Sequence, residues 1–240
     1  MIDLHCHLLP GVDDGPRDMK EAVALCKASY VDGVRMAVAT SHVYPARWDN
    51  RAPSLRPVFE QLKQAIGEAG IPLELRMGGE VRFGDDILPL LDKEEIPFLG
   101  HDGKYHVMLL EFPDAGIPVG SDALVRHLLG RGIRPLIAHP ERNEAVKAKP
   151  ERLYPFLDIG CWVQLTAGSV LGQFGKTAKS VAFKLMEMDA VNVLASDCHN
   201  LEYRPPNMGE ACKVIVKQFG ADYCDVLVNR NPARIAGIAA

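Results

Sequence analysis

Short apolar runs alternate with longer amphipathic stretches along this chain. The runs at 2–5, 34–39, 73–77, 107–111, 134–138, 162–165 and 192–195 are aliphatic-rich and of strand length. Between them the apolar positions take a helical period. Met19, Ala22, Val23, Cys26 and Tyr30 follow i, i+3, i+4, i+7 and i+11, which lines up one buried face. That helix is expected to stop at Gly33, since a glycine readily takes the positive φ that ends a helix. Helices are likewise expected over 56–69 and 121–129, stopping at Gly70 and Gly130, and over 177–188. Two or three more follow the last strand. Repeated strand–helix alternation predicts parallel strands covered by helices. A closed barrel and an open doubly wound sheet both satisfy it.

The polar residues choose between them. The first strand runs into "HCH", with His5 and His7, and then "DDG", with Asp13 and Asp14. The second leads to His42, the third to Glu80, the fourth to Glu111, the fifth to His139, and the last to Asp197 and His199. Only the sixth, "WVQLTAG", offers nothing ionisable. Taken singly, His42, Glu80 or Glu111 reads as an ordinary loop residue. Jointly they fall at the same end of successive strands. In a parallel barrel all C-terminal strand ends meet on one face, which carries the active site. An open sheet gathers its ligand at one switch point instead. The expected fold is therefore α/β, a distorted (β/α)7 barrel related to the TIM architecture. Residues at i and i+2 of a strand share a face, so Cys6 and Cys198 read as spacers between ligands. His101, His106 and His127 have no such placement and read as surface or core histidines.

The set His5, His7, Asp14, His42, Glu80, Glu111, His139, Asp197 and His199 holds five imidazoles and four carboxylates. That exceeds the needs of one ion and fits two or three divalent ions. Nitrogen and oxygen donors without thiolate suit manganese, iron or zinc over calcium or copper(I). Three such ions would make the site formally positive, attract an anion, and lower the pKa of a bound water from 15.7 to ~7. Hydrolysis of a phosphate ester by a metal-bound hydroxide follows. Arg142 in "HPER" and Arg204 in "HNLEYR" are the candidates to hold phosphate oxygens with their planar forks.

Composition excludes several alternatives. With 240 residues the chain fits one domain spanning 1–240. A formal charge of −4 with interspersed signs gives no nucleic-acid or membrane surface. No run is long enough for a membrane span and no signal-peptide pattern is present, so a cytoplasmic location is expected. The six cysteines lack C-x-x-C spacing and read as free thiols. An oligomer is left open.

The stretches "MIDLHCHLLPGVDDGPRD", "ATSH", "GGEVRF", "LLEFP", "LIAHPER", "QLTAGSVLGQFGKTA" and "ASDCHN…RPP" resemble the polymerase-and-histidinol-phosphatase (PHP) superfamily. Within it they resemble the bacterial manganese-dependent protein-tyrosine phosphatases of capsule and exopolysaccharide operons. The resemblance implies three ions, manganese first among the candidates. It implies one ion on His5, His7 and Asp197, with Glu80 bridging to a second on Glu111 and His139. A third would sit on Asp14, His42 and His199, and it is the resemblance that selects Asp14 over Asp13. It implies that Arg142 and Arg204 contact phosphate. The implied substrate is the phosphotyrosine tail of a partner tyrosine kinase that controls polysaccharide export. Ser41 and Val43 stand where relatives often have proline and a second histidine, and Asn143 where an aromatic is usual.

Cys198 to Arg204, "CHNLEYR", matches the C-x5-R outline of cysteine-dependent phosphatases. Its interior has no glycine and carries Glu202, which opposes a loop that must wrap N–H groups around phosphate. Three other readings stay open. One is a PHP-type phosphatase of small esters such as histidinol phosphate. Another is a metal-dependent amidohydrolase, against which the absence of a bridging lysine on the third strand counts. The last is a metal-stabilised barrel that only binds a kinase tail.

Overall fold

The computed structural model describes residues 1–238. Its strands are β1 (Ile2–Cys6), β2 (Met36–Val43), β3 (Glu74–Arg82), β4 (Gly100–His101), β5 (His106–Glu111), β6 (Ile133–Ala138), β7 (Trp162–Thr166) and β8 (Val193–Ala195). Seven of them run parallel in the order β1-β2-β3-β5-β6-β7-β8. This is the barrel expected from the strand ends. The two-residue β4 adds antiparallel to β5 and has no counterpart in the hydropathy pattern. β2 and β3 extend beyond their apolar runs, to Val43 and Arg82. Thr40, Ser41 and His42 still pair with Gly78, Gly79 and Glu80. Backbone pairing, not side-chain polarity, ends these strands.

Helices Met19–Val31, Ala52–Glu68, Ser121–Gly130 and Gly175–Glu187 pack outside the barrel. The second starts before the predicted 56. Pro53 suits its first turn, and Ser54 Oγ accepts the Arg51 N–H at 2.9 Å. The third does not stop at its predicted glycine: Gly130 is its last helical residue, and Gly132 takes the positive φ of 75°. Helices Met208–Phe219, Ala221–Asp225 and Asn231–Ile235 follow β8.

Side chains alternate between two apolar layers. Leu4, Val38, Val107, Leu109, Leu136 and Val193 fill the barrel, with Ile235 and Ala236 packed in from the last helix. Met108, Leu110, Ile137 and Val163 face outward onto the helices. Glycines keep the strands close. A Cβ on Gly78 would lie 2.8 Å from Val38 Cγ1, and one on Gly79 would lie 2.6 Å from Pro97 Cγ.

β1 is bulged. Asp3 pairs with Ala37 but Cys6 with Ala39, so one extra residue sits between them. Leu4 belongs to the inner layer and Cys6 to the outer one, and His5 and His7 flank that cysteine. The barrel closes here. The Asp197 N–H donates to His5 O at 2.7 Å, and the His7 N–H to Cys198 O at 2.9 Å. Asp3, fully buried, accepts from the Ser196 N–H at 3.0 Å and from the Ser196 hydroxyl. Burial pushes the Asp3 carboxyl up to about 6, against the lowering effect of the Ser196 hydrogen bonds. Asp3→Ala leaves the Ser196 N–H buried and unpaired, so it should cost about 1–3 kcal/mol. Urea unfolding measures it; an unchanged midpoint would show that backbone bonds alone hold the seam.

Candidate metal centre

The C-terminal ends of β1, β2, β3, β5 and β6, with the turn after β8, meet at one end of the barrel. Four overlapping groups bring ligand atoms within 4.8 Å of one another: His7–Asp14–His42–His199, His5–His7–Glu80, His5–His139–Asp197, and His42–Glu80–Glu111. Between them they contain all nine residues singled out by the strand-end pattern. The partition differs from the one the family resemblance implies. His139 groups with His5 and Asp197 instead of Glu111, although its Nε2 also lies 2.7 Å from Glu80 Oε1. Glu111 groups with His42 and Glu80.

His5 Nε2 and His7 Nε2 stand between two carboxylate oxygens, Glu80 Oε2 and Asp197 Oδ1. The two nitrogens are 3.3 Å apart. Each is 3.3 Å from Glu80 Oε2, and they lie 3.2 and 3.5 Å from Asp197 Oδ1. Spacings of this size between nitrogen and oxygen donors are those of neighbouring ligands on one divalent ion, whose bonds run about 2.0–2.2 Å. Asp197 Oδ1 and His199 Nε2 are buried without a hydrogen-bond partner. Buried polar atoms are normally satisfied, and a divalent cation satisfies both donor types. The donor set fits such an ion.

A second layer orients these ligands. Asp13 Oδ2 lies 2.9 Å from His7 Nδ1 and accepts the His42 N–H at 3.0 Å. Gln164 Oε1 lies 3.0 Å from His5 Nδ1 and accepts the His139 N–H at 3.2 Å. The Asp197 carbonyl faces His199 Nδ1 at 3.0 Å. Each arrangement leaves the opposite ring nitrogen for the centre. Asn50 donates to both Val12 O and His42 O at 2.9 Å, fixing the loop above. Trp48 stacks flat on His42, with centroids 4.6 Å apart and planes at 4°, and Arg47 covers its ring at 4.0 Å. Gln164 and Trp48 have no place in the strand-end reading, and Asp13 enters it only as the neighbour of Asp14. The signal for Gln164 is a lone amide in an otherwise apolar buried strand, which demands a partner.

Crowded opposite charges set the electrostatics. Burial alone would lower the His5 pKa, but Glu80 and Asp197 outweigh it and push it up to about 9. His42 rises to about 11 against the same burial effect, lifted by Glu80 and Asp14. Burial, then the charge of Glu80, raises Glu111 to about 7. Burial with Arg142 lowers His139 to about 4, and burial with His7 lowers His199 to about 4. Against burial, the His5 and His42 charges hold Glu80 well below the carboxylate range, and Arg142, His5 and Arg204 do so for Asp197.

Asp197 divides its two oxygens. Oδ1 faces the histidines, while Oδ2 receives Arg142 at 2.6 Å and Arg204 at 2.5 Å. Arg142 lies 4.8 Å from the Phe174 ring centroid. A Cβ on Gly168 would lie 2.8 Å from that ring, so "AGSVLGQFG" builds a floor for the guanidinium. A third arginine, Arg82, pairs with Glu111 at 3.0 Å. Asn143, at the atypical position, caps the helix Glu144–Ala148 by accepting the Ala145 and Val146 N–H groups. His139 and Asp197 take φ of 30° and 52°, left-handed backbone in non-glycine residues where the ligands turn inward. Cys198 is fully buried in the outer apolar layer. Its thiol is not at the centre, so C-x5-R is not a phosphate loop here.

Asp13→Ala and Gln164→Ala should each weaken metal affinity by about 10–100-fold while leaving the ligands in place. Equilibrium dialysis with manganese reads this, and wild-type affinity in both would remove their orienting role.

Comparison with known proteins places the chain in a family. Residues 1–236 match the family model described as "Capsular polysaccharide synthesis, CpsB/CapC". The tyrosine-protein phosphatase YwqE of Bacillus subtilis is 35% identical over 222 residues, 92% of this chain and 86% of that protein. The tyrosine-protein phosphatase CpsB of Streptococcus pneumoniae is 35% identical over 240 residues, 98% of each chain. A crystal structure from work on YwqE and CpsB, described as unique metal-dependent tyrosine phosphatases, superposes with a TM-score of 0.92 at 31% identity. That superposition covers 100% of this chain and 96% of the other. On its sequence and its fold alike, the chain belongs to the CpsB/CapC family of capsular polysaccharide synthesis.

Proposed function

We propose that this protein is a metal-dependent protein-tyrosine phosphatase acting on the phosphotyrosine tail of a bacterial tyrosine kinase that controls capsule or exopolysaccharide synthesis. One observation carries the reading: buried imidazoles flanked by the Glu80 and Asp197 carboxylates stand beside two arginines that share the outer oxygen of Asp197. Cation donors and anion donors thus face the same space. The names of YwqE and CpsB support tyrosine phosphatase chemistry.

The nine ligands suffice for three divalent ions, with manganese the first candidate and iron or zinc the others. His5, His7, Glu80, His139 and Asp197, in two groups that share His5, would hold one; Glu80, Glu111 and His42 would hold a second; Asp14, His42, His199 and His7 would hold a third. Bound ions would supply Lewis acidity and a hydroxide nucleophile at neutral pH. The chain's own part is binding and orientation. Arg142 and Arg204 present forked donors that match phosphoryl oxygens. Asp197 holds both forks in place through its Oδ2. Asp13 and Gln164 fix the ring planes of His7 and His5. An amidohydrolase of the carbamyl-lysine kind is disfavoured, because Glu80 occupies the bridging position.

Chelator-stripped protein should lose turnover of a phosphotyrosyl peptide and regain it with about three ions per chain, counted by mass spectrometry. Activity in metal-free protein would overturn the mechanism. Better turnover of small phosphate esters than of any phosphopeptide would favour the small-molecule reading.

Variants separate the roles. His5→Ala or His7→Ala should lose both metal and rate. Arg142→Ala or Arg204→Ala should keep metal and lose about 10²–10³-fold in rate, the usual scale for removing a charge-stabilising donor. Loss of metal from the arginine variants would reassign them as supports of Asp197. Cys198→Ser should remain active.

A further inference from the structure

We infer that the groove leading outward from the metal centre, between residues 14–25 and 199–203, is the docking track for an extended phosphotyrosyl peptide. This rests on the phosphatase reading above and adds the surface that selects the substrate.

The groove encloses about 670 Å³. Asp14 and His199 belong both to its wall and to the metal cluster, so it is continuous with the site of chemistry. A small phosphate ester occupies the centre alone. A cleft of this size beyond it has the volume of a complete ligand site.

One wall is the first turns of the helix Met19–Val31, reaching Ala24 and Leu25. The opposite lip carries Leu201 and Tyr203, which are 53% and 77% exposed. These two side chains do not dangle from a loose loop. Asn200 Oδ1 accepts three successive backbone N–H groups, from Glu202 at 3.1 Å, Tyr203 at 2.7 Å and Arg204 at 3.1 Å. The His199 N–H also donates to Arg204 O at 2.9 Å. The turn is therefore built to hold two apolar side chains in water next to the catalytic rim. Exposed apolar surface rigidly held beside a site is a binding surface.

The charges narrow the occupant. Arg17 is tied to Glu21, leaving Asp14, Asp18 and Glu202 against Lys20. The track has no positive field to draw in a nucleic acid or an anionic membrane. Apolar side chains next to the phosphotyrosine fit on Leu201 and Tyr203, and peptide amides find polar partners in the flanking walls.

The test compares manganese-loaded protein on a phosphotyrosyl peptide and on para-nitrophenyl phosphate. Leu201→Ala and Tyr203→Ala trim the lip, and Ala24→Arg fills the groove from the helix, away from the loop that carries His199. Each should lower kcat/KM for the peptide about 10-fold or more, through KM, and leave para-nitrophenyl phosphate turnover unchanged. Unchanged peptide kinetics in all three would overturn the inference. So would an equal loss on both substrates, which would make the loop a support for His199 only. Wild-type protein inactive on both substrates would instead sink the phosphatase reading itself.

Discussion

The two hydrogen bonds that close the barrel are also the bonds that assemble its chemistry. Asp197 donates its N–H to His5 O, and His7 donates to Cys198 O. These are neighbours in the motifs "HCH" and "DCH", at opposite ends of the chain. A parallel barrel must join its first strand to its last, and that join is non-local by nature. Here the seam places His5 Nε2 3.2 Å from Asp197 Oδ1. The buried Asp3–Ser196 pair locks the register one step below. Moving the seam by one residue would turn His5 and His7 out to the helices and Cys6 into the centre. Closure of the fold thus brings these candidate ligands together.

Four carboxylates and five imidazoles in one buried space cannot all take their ordinary charge states. The directions of their pKa shifts show how they compromise. The carboxylates push His5 and His42 up and are themselves pushed down at Glu80 and Asp197. Burial and neighbouring positive charge push His139 and His199 down. Asp197 is the hinge of this balance. One of its oxygens faces the imidazoles and the other two guanidiniums, so it sets the candidate ligands and the two arginines side by side.

The barrel and its nine candidate ligands are legible in the sequence for a simple reason. Aliphatic runs of strand length that each end in an ionisable residue have few alternatives to a parallel barrel with one functional face. The strand ends were less legible, because apolar pattern stops where burial against side chains stops, whereas pairing continues. Thr40 to His42 are polar and still in register with Gly78 to Glu80. The orienting residues were least legible. Asp13 and Asp14 are adjacent and chemically identical, and only the folded turn sends one to His7 Nδ1 and the other toward His42 and His199. Gln164 carries no charge and so leaves no mark among the ionisable strand ends. Trp48 sits in a loop, and its stack on His42 is a contact between segments that no local pattern encodes.

The turn after β8 shows why one short segment carries so many roles. Within eight residues it carries two candidate ligands, Asp197 and His199, a buried spacer in Cys198, and the proposed anion donor Arg204. Asn200 makes this compatible with precision. By gathering three backbone N–H groups onto one side-chain oxygen, it converts what would be a mobile loop into a fixed turn. A fixed turn holds His199 and Arg204 at set distances from Asp197, and the same rigidity keeps Leu201 and Tyr203 pointing outward. Chemistry and recognition therefore share one positioning device. A change that loosened the turn would disturb both, whereas a change to Leu201 or Tyr203 alone alters only the face the turn presents.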